Sequence, residues 1–327
     1  MVLAFRIDHD GESMNVHKPR VSLGMPVFNG EEFIKGALNS ILTQTYSDFE
    51  LIISDNASTD RTQETCEVYA AKDPRIRYYR QQVNIGAGKN FDYVFNVSSG
   101  EYFKWLTHDD LHAPEFLAKC VEVLDKEPSV VLCFSKIVNI DHHGVPLTTL
   151  SRNIGASPKA FKRFRSLTSM NHACEEIFGL IRVDILRKTK LMRNYTNSDR
   201  TLLSELGLYG RFYHVPEPLF YHRLHPGMST QAHLDWRRRM AWFDPTFQGR
   251  IVFPHWMQCA DYFKTITRVP MSLYERSRCY LEMGGWLVLY GRGLLKDLLV
   301  ATAQLVRRPF WRPGMRQRRN NKVGSLA

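Results

Sequence analysis

The feature that most constrains the fold is a regular alternation of short apolar runs and helical patterns over residues 20–111. Strands that alternate with helices of this length are typical of a parallel sheet whose faces are covered by helices. We therefore predict an α/β fold, with a mostly parallel sheet flanked by helices. The predicted strands are 21–27, 49–54, 76–80 and 100–111, and the predicted helices are 31–43, one from about 60 to 73 and one ending at 97.

The last of these strands, GEYFKWLTHDDL, ends abruptly in two adjacent carboxylates, Asp109 and Asp110. Its aromatic residues favour a strand that is buried on both faces. Two like charges a few ångströms apart raise each other's pKa unless a positive group lies beside them. A divalent cation is one such group, since Mg²⁺ and Mn²⁺ bind carboxylate oxygens and keep water or substrate phosphates as further ligands. The alternative is that the aspartates cap the helix predicted over 115–126.

Polar residues follow each of the four predicted strands, and parallel strands bring their carboxyl ends to one edge of a sheet. That edge holds Asn29, Asp55, Lys89 and the Asp109–Asp110 pair. A carboxylate, a cation and apolar walls are the groups that a nucleotide needs. The NIGAG segment at 84–88 could wrap a phosphate, although it is equally explained as a plain turn into a helix.

The downstream sequence contains one further candidate acid, Asp199. It precedes an apolar helical pattern over 202–208 and is therefore predicted in or just before the first turn, where helix capping alone would account for it. Between the two acidic sites, residues 130–134 and 137–140 have strand composition. Residues 160–170 are basic and polar, which predicts a surface helix or a mobile loop over an acceptor site.

The formal net charge of +11 is concentrated at the C-terminal end. No acid follows Asp297, and this suggests contact with an anionic surface, either phospholipid or nucleic acid, or simply a solvated tail. The positive residues after Asp297 are Arg307, Arg308, Arg312, Arg316, Arg318, Arg319 and Lys322.

The six cysteines show no CxxC pair, and the N-terminus lacks the apolar core of a signal peptide, so we expect a reducing, cytoplasmic setting.

The string VSLGMPVFNGEEFIKGALNSILTQTYSDFELIISDNASTDRT, the NIGAGKN turn and the KWLTHDD strand end together resemble family 2 of the inverting glycosyltransferases, which have the GT-A fold. The resemblance covers roughly residues 20–230. It implies a nucleotide-sugar donor and a divalent cation, Mn²⁺ or Mg²⁺. The implied organisation is an N-terminal lead (1–19), a GT-A catalytic domain (20–230), a helical C-terminal extension (231–310) and a basic flexible tail (311–327).

Matched motif by motif, the resemblance assigns nucleotide contacts to several strand-end residues. Pro26 and Asn29 fall in the first contact segment, Asp55 matches the carboxylate that recognises the base, and Lys89 and Asn90 lie in the third segment. These five residues are therefore expected to bind the nucleotide-sugar donor.

The same resemblance places Asp109 near the ribose or donor sugar and Asp110 on the metal, with Asp109 as a second candidate ligand. The chain departs from many relatives because Thr107 stands where they carry an additional acid. We therefore expect Asp110 to be the main protein ligand and metal affinity to be modest. A zinc site formed by His108 and His112 is a minor alternative.

The catalytic base of inverting relatives is an acid that heads a helix after the sheet, and Asp199 matches that place. The following Arg200 could hold a phosphate or order the carboxylate. In the segment 220–227, FYHRLHPG, Arg223 and His225 match a segment that relatives place near the donor phosphates, so they are candidate pyrophosphate or metal contacts. The alternative is an ordinary polar transition from strand to loop.

These observations predict an inverting glycosyltransferase that uses a nucleoside-diphosphate sugar and a saccharide or lipid-linked acceptor in surface polysaccharide or glycolipid synthesis. The alternative is a catalytically silent nucleotide-sugar-binding or scaffolding protein of the same fold, which the missing acid at Thr107 leaves open. Apolar residues between 294 and 306 with the basic tail suggest peripheral association with the inner face of the plasma membrane. The alternative, favoured for the first half of this segment, is an ordinary helix that packs on the catalytic domain. A nucleic-acid partner rests on the tail alone and is not favoured.

Overall fold

A computed structural model of the chain describes residues 18–169, 173–228, 231 and 236–307. The elements alternate as predicted through the first third of the chain and become mainly helical at the end. The strands are β1 (Val21–Val27), β2 (Phe49–Asp55), β3 (Ile76–Arg80), β4 (Tyr102–Trp105), β5 (Leu111–His112), β6 (Val130–Ile140), β7 (Pro146–Leu150), β8 (Leu180–Arg182) and β9 (Arg211–Arg223). The helices are α1 (Ile34–Leu42), α2 (Thr62–Lys72), α3 (Ala87–Asn96), α4 (Phe116–Lys126), α5 (Ala160–Ser169), α6 (Val183–Leu186), α7 (Ser198–Tyr209), α8 (Trp236–Phe243), α9 (Pro254–Arg268) and α10 (Leu273–Arg307).

The strands form one sheet in the order β3-β2-β1-β4-β8-β6-β9-β5, with β7 paired to β6. Strands β3, β2, β1 and β4 are parallel, and β6 is parallel to β9. The pairs β4–β8, β6–β8, β6–β7 and β5–β9 are antiparallel. The predicted α/β fold is thus confirmed, with parallel pairing among the first four strands and between β6 and β9, and antiparallel pairing in the rest of the sheet.

Strand β1 lies at the centre of the parallel half, and all seven of its residues are buried. A strand covered on both faces must be apolar throughout, which explains the VSLGMPV sequence. At Gly24 a Cβ atom would lie 2.6 Å from Val94 of α3 and 2.7 Å from the ring of Phe103, so helix and sheet approach closely there only because the residue is glycine.

The run predicted as one strand over 100–111 is two strands separated by a loop. Strand β4 ends at Trp105, and β5 is a two-residue strand that pairs with the distant β9 instead of extending β4. The loop between them carries both aspartates. Strand β9 is long, and its second half pairs with both β6 and β5.

The C-terminal helices pack against the sheet domain through a shared apolar cluster. Buried Phe161 and Phe164 of α5 contact residues of α9 and α10 in this cluster, which also includes Leu208 of α7. In the described part of 160–170 the predicted helix is present, but only one side of it is at the surface. Lys162 and Arg165 are exposed, whereas Phe161, Arg163 and Phe164 are buried. The predicted place of this segment over an acceptor site stays a prediction. All six cysteines are buried.

None of the helices in the described ranges is long and apolar enough to cross a bilayer. The predicted lead at 1–19 lies almost entirely outside the described residues, and the basic tail at 311–327 lies wholly outside them. The predicted domain boundaries at 230 and 310 stay predictions.

Candidate active site

A cavity of about 690 Å³ opens at the carboxyl ends of β1, β2 and β4, and we call it the edge cavity. In open α/β sheets this edge is where ligands bind, because the polar loops after the parallel strands converge there. Its walls combine aromatic rings with amide, imidazole and carboxylate groups. The polar lining residues are Asn29, Glu32, Asn56, Asn84, Asn90, Thr107, His108, Asp109, His142 and His225.

Asp109 and His225 face each other in the edge cavity, with 2.9 Å between Oδ2 of Asp109 and Nε2 of His225. Burial opposes ionisation of the carboxyl group, but hydrogen bonds from His225 and Thr107 and the neighbouring His108 lower the pKa of Asp109 to about 2. The ring of Phe33 contacts His225 edge-on, with 4.7 Å between centroids. The cavity therefore contains a carboxylate that is ionised at neutral pH beside an imidazole of fixed orientation.

Asp110, although adjacent in sequence, does not line the edge cavity and is only 1% exposed. Its Oδ1 lies 3.0 Å from Nδ1 of His222 and accepts the backbone N–H of Arg223 at 2.9 Å, while its Oδ2 accepts the hydroxyl of Thr107. Burial alone would lower the pKa of His222, but the hydrogen bond and charge of Asp110 raise it to about 9. Asp110 therefore anchors the loop after β4 to the end of β9, and its role as main metal ligand stays a prediction.

The Arg223 guanidinium is occupied by backbone carbonyl groups. Its Nε donates to the carbonyl of Asp109 at 2.9 Å, and its Nη1 donates to the carbonyls of Asp141 and His142 at 3.1 and 2.8 Å. It also lies over the ring of Phe33, 4.8 Å from the centroid. The structure thus gives Arg223 a role in fixing the loop that carries Asp109. Arg223 does not line the edge cavity, where a contact with the donor pyrophosphate would have to lie.

The predicted contacts at the ends of β1 and β2 divide into lining and supporting residues. Pro26 and Asn29 line the edge cavity, and Asn29 has a left-handed backbone with φ 52°. Asp55 is fully buried and lies outside the lining. Its oxygens accept hydrogen bonds from the backbone N–H of Ser58 and from the side chains of Tyr78 and Arg80.

The third predicted segment, at the start of α3, divides in the same way. Asn90 lines the edge cavity and is buried, with its side chain bonded to the hydroxyl and carbonyl of Ser54 at 2.6 and 2.9 Å. Lys89 is exposed on the other side of the helix and lies outside the lining. The structure therefore brings Asn90, but not Lys89, to the other candidate donor contacts.

Asp199 lies in the first turn of α7, partly buried, and the described lining of the edge cavity does not include it. Its Oδ1 accepts the backbone N–H of Arg200 at 2.7 Å. The helix is preceded by Asn197, whose φ is 68°. Just upstream, the Tyr195 hydroxyl lies 3.0 Å from the Thr201 hydroxyl of α7 and donates to Asp261 of α9 at 2.9 Å. The head of α7 is thus fixed by a C-terminal helix.

The minor alternative of a zinc site at His108 and His112 finds no support. His108 lines the edge cavity, whereas His112 is buried in β5 with its ring stacked on Phe220, 5.1 Å between centroids. Burial holds the pKa of His112 well below its usual value. Within the described ranges there is no group of three or more His, Cys, Asp or Glu side chains that could hold a metal.

Sequence reasoning named Asn84 only as part of the NIGAG turn and missed Asn56 as a site residue. Both line the edge cavity and bond to each other at 2.9 Å. The signal for Asn56 was its position directly after β2, next to Asp55, which was the residue chosen there. It also missed Lys104, which is fully buried in β4 and donates to the carbonyl of Phe178 in the cavity wall. Burial lowers the pKa of Lys104 to about 7.

Comparison with known proteins agrees with this geometry. Residues 22–189 match the family described as Glycosyl transferase family 2. The chain is 27% identical over 224 residues to an uncharacterized glycosyltransferase of Rickettsia typhi, covering 68% of this chain and 69% of that protein. Matches to other, longer relatives span 18% of their length.

Two solved structures share the fold at low sequence identity. TarS 1–349 of S. aureus in complex with UDP-GlcNAc is 17% identical, with a TM-score of 0.53, and the match covers 84% of this chain and 92% of that one. The mannosyltransferase PcManGT of Pyrobaculum calidifontis in complex with GDP-Man and Mn²⁺ is 16% identical, with a TM-score of 0.52, and the match covers 91% and 82%. Both support the predicted GT-A architecture.

Proposed function

Because the chain belongs to glycosyl transferase family 2 and is a glycosyltransferase, we propose that it transfers a sugar from a nucleoside-diphosphate sugar to an acceptor hydroxyl with inversion at the anomeric carbon. The family match over 22–189 contains the loops after β1, β2 and β4 that line the edge cavity. The inverting mechanism, the cation and the acceptor are more specific than the family and are our proposals.

The observation that carries the proposal is the Asp109–His225 pair at the carboxyl edge of the parallel strands. A low pKa keeps Asp109 anionic, and the 2.9 Å contact holds His225 beside it in a cavity of about 690 Å³. A carboxylate and an imidazole in a cavity with amide-rich and aromatic walls suit a ligand that has both a diphosphate and a flat base.

A divalent cation fits the donor atoms at this place. Asp109 supplies a carboxylate oxygen and His225 a ring nitrogen, and we assign the cation to these two residues in preference to the buried Asp110. Cations such as Mg²⁺ and Mn²⁺ are commonly held by one or two protein groups, with water and phosphate oxygens as the other ligands. A bound cation would neutralise the negative charge that develops on the diphosphate leaving group. PcManGT was solved with Mn²⁺ and GDP-Man, which supports the presence of a cation in this fold.

For the donor, we propose that the base lies among the residues that follow β1, β2 and β3. Pro26, Asn29 and Asn90 line this part of the cavity, and Asn56 adds an amide group. Asp55 shapes the same loop through its bond to the backbone N–H of Ser58. TarS was solved with UDP-GlcNAc and PcManGT with GDP-Man, which supports a nucleotide-sugar donor in this fold without deciding the base or sugar of this chain's donor.

Asp199 is our proposed catalytic base. In the reaction the acceptor oxygen forms a bond to the anomeric carbon while the bond from that carbon to the diphosphate oxygen breaks. The acceptor proton moves to the carboxylate of Asp199, and the nucleoside diphosphate leaves with the electron pair of the broken bond. One carboxylate suffices because the attack comes from the face opposite the leaving group and no covalent intermediate forms. The place of Asp199 at the head of α7 supports this role.

We further propose a saccharide or lipid-linked acceptor in surface polysaccharide or glycolipid synthesis, with the protein bound peripherally at the inner face of the plasma membrane. The support is the sequence after Asp297, which contains seven positive residues and no acid. A basic segment is attracted to the anionic lipids of that leaflet.

The test is a panel of nucleoside-diphosphate sugars measured by thermal unfolding with Mn²⁺, with Mg²⁺ and with EDTA. We expect one donor to raise the unfolding temperature by about 5 °C at roughly a hundredfold excess over its Kd, and EDTA to remove the shift. The same donor should then release nucleoside diphosphate with a suitable acceptor, and NMR of the product should show the inverted anomer.

Three results would contradict the proposal. If the donor binds equally well with EDTA, donor binding does not need a cation. If the product keeps the anomeric configuration of the donor, the mechanism is not inverting. Binding without turnover across a broad panel of acceptors would favour the silent nucleotide-sugar-binding protein. As a matched control, Asp184→Asn replaces an exposed aspartate on α6 and should behave like the wild type throughout.

A further inference from the structure

One face of the long C-terminal helix α10 is buried against other helices, and the opposite face is exposed. Its inner face packs on α5 and α9 through residues such as Cys279, Met283, Trp286 and Leu294, which are at most 7% exposed. These positions recur every three to four residues or at double that spacing, as expected for one stripe of a helix. The inner stripe alone accounts for the packing of α10, so the outer face is free for another role.

The outer face of α10 is apolar where a solvated helix would be polar. Leu281, Val288, Leu295 and Leu299 are 65%, 87%, 57% and 61% exposed, and their spacing of seven, seven and four residues places them on one side. The stripe extends over about 27 Å of helix, at 1.5 Å per residue. Single exposed leucines are ordinary, but a row of exposed apolar residues of this length indicates a surface that is covered in use.

The charges on this outer face have a single sign. Arg292 and Lys296 are exposed between the apolar residues. The acids of this stretch of helix are turned inward: Glu282 forms an ion pair with Arg165 at 3.6 Å, and Asp297 is 5% exposed and bonded to His255 at 2.9 Å. The outer face thus combines apolar and basic groups only.

An exposed tryptophan extends the surface beyond α10. Trp256 of α9 is 45% exposed, and its indole N–H donates to the carbonyl of Leu294 at 3.1 Å, which fixes the ring beside the helix. It borders the same surface cavity as Leu298, which is 43% exposed. Tryptophan rings of this kind are favoured where an apolar environment meets water.

The chain beyond α10 continues the same charge pattern in its sequence. Residues 308–327 lie outside the described ranges, but they contain six of the seven positive residues that follow Asp297 and no acid. The sequence after α10 and the exposed Arg292 and Lys296 together favour an anionic occupant of the outer face by charge complementarity.

We propose that the outer face of α10, defined by Leu281, Val288, Leu295, Leu299 and the neighbouring Trp256, rests in the interface of an anionic lipid bilayer. An amphipathic helix with an apolar face, flanking basic residues and a tryptophan buries its apolar side chains among the lipid chains while the basic groups contact the headgroups. The inference deepens the proposed membrane association by naming the surface, and it does not depend on the donor or on transfer.

The test is co-sedimentation of the full-length protein with two kinds of vesicle, phosphatidylcholine alone and phosphatidylcholine mixed with phosphatidylglycerol. We expect binding to the anionic vesicles that weakens as salt is raised. The double variant Val288→Asp/Leu295→Asp should lower the partition coefficient by about tenfold or more, because it places two charges in the apolar stripe.

The matched control is Val68→Asp/Leu147→Asp, which adds the same charge at positions that are 45% and 53% exposed on α2 and β7. It should bind vesicles like the wild type, and both double variants should keep the wild-type unfolding temperature. Absence of wild-type binding to anionic vesicles, or equal binding by both double variants, would overturn the proposal. A wild-type dimer in light scattering that the α10 variant alone abolishes would assign the face to a second copy instead.

Discussion

The two sides of the candidate active site are built in contrasting ways. The proposed donor side, around the ends of β1, β2 and β4, is built mainly from residues 20–110, with His142, Phe178 and residues 225–228 added from later in the chain. Several of its loops bond to one another, as Asn29 does to Ser58 and Thr59. The proposed acceptor side, at the head of α7, is held by the distant α9 through Tyr195 and Asp261. The proposed donor side is thus largely a product of the strand-helix repeat, completed by His225, whereas the proposed acceptor side depends on how the C-terminal helices pack.

A hydrogen bond joins α3, next to the donor side, to the segment before α7. Asp92 of α3 accepts the backbone N–H of Met192, in the segment that leads into α7, at 3.2 Å. Both sides also use an asparagine in the left-handed conformation at a turn, Asn29 and Asn197, where the short polar side chain makes a positive φ tolerable. If the contrast is right, variants on the two sides should separate chemistry from donor binding.

The largest expected effect is on the acceptor side. Asp199→Asn should lower kcat by about 10²–10⁴, the range that a general base contributes, because asparagine cannot accept the acceptor proton. Donor-induced thermal stabilisation should stay at the wild-type value, since Asp199 lies outside the edge cavity. Steady-state release of nucleoside diphosphate and thermal unfolding measure the two quantities. If the variant instead loses donor stabilisation and keeps the wild-type kcat, Asp199 contributes to donor binding and the distinction between the two sides is wrong.

The donor side should respond in the opposite way. Asp109→Asn removes the anionic oxygen beside His225, so we expect the cation-dependent part of the donor stabilisation to disappear and kcat/KM to fall by about a hundredfold. Isothermal titration of Mn²⁺ with the donor present measures this without relying on turnover. Wild-type cation affinity in Asp109→Asn, combined with its loss in Asp110→Asn, would return the metal to Asp110.

The sequence predicted the strands of the proposed donor side and part of the edge-cavity lining, because the signals for both are local. Strand β1 and strand β3 have the predicted bounds, and Asn29 and Asp109 lie at the predicted edge. Which of two adjacent aspartates faces the cavity could not be predicted, because that depends on His222 and His225, more than a hundred residues away, which bond Asp110 and Asp109 respectively.

The packing around the proposed acceptor side could not be predicted from the sequence for a related reason. The basic and polar composition of 160–170 indicated exposure, but one side of α5 is covered by α10, a helix more than a hundred residues later in the chain. The antiparallel strands β5 and β8 also contribute only a few residues each, too short for a period-of-two pattern to identify them.

A smaller effect should separate the two aspartates by stability. Asp110→Asn removes the charge that pairs with the partly buried His222, so we expect the free energy of unfolding at pH 7 to fall by about 2–4 kcal/mol. Because the folded pKa of His222 is about 9 and the ordinary value is 6.5, the stabilisation from this pair is complete below pH 6.5 and is lost as the pH rises through 9. Urea unfolding across pH 6–10 should show this decline in the wild type.

The matched comparison for that experiment is Asp109→Asn, which changes the neighbouring carboxylate in the cavity. It should retain the decline in stability between pH 6.5 and 9, whereas Asp110→Asn should lack it. A wild-type stability curve that is flat over this interval would show that the His222–Asp110 contact is not an ion pair, and the anchoring role assigned to Asp110 would then rest on its bonds to Thr107 and Arg223 alone.

The smallest effect concerns the contact that joins the two sides. Burial raises the pKa of Asp92 to about 7, above the ordinary value of 3.8, with the Met192 N–H only partly opposing this. The carboxyl group therefore costs stability progressively as the pH rises from about 4 to 7, and the cost is complete above pH 7. Asp92→Asn keeps an acceptor for Met192 and should raise the free energy of unfolding at pH 8 by about 1 kcal/mol, with little gain at pH 4. An equal gain at both pH values would mean that the variant acts through packing, and a loss at pH 8 would mean that the charge itself holds α3 to the segment before α7.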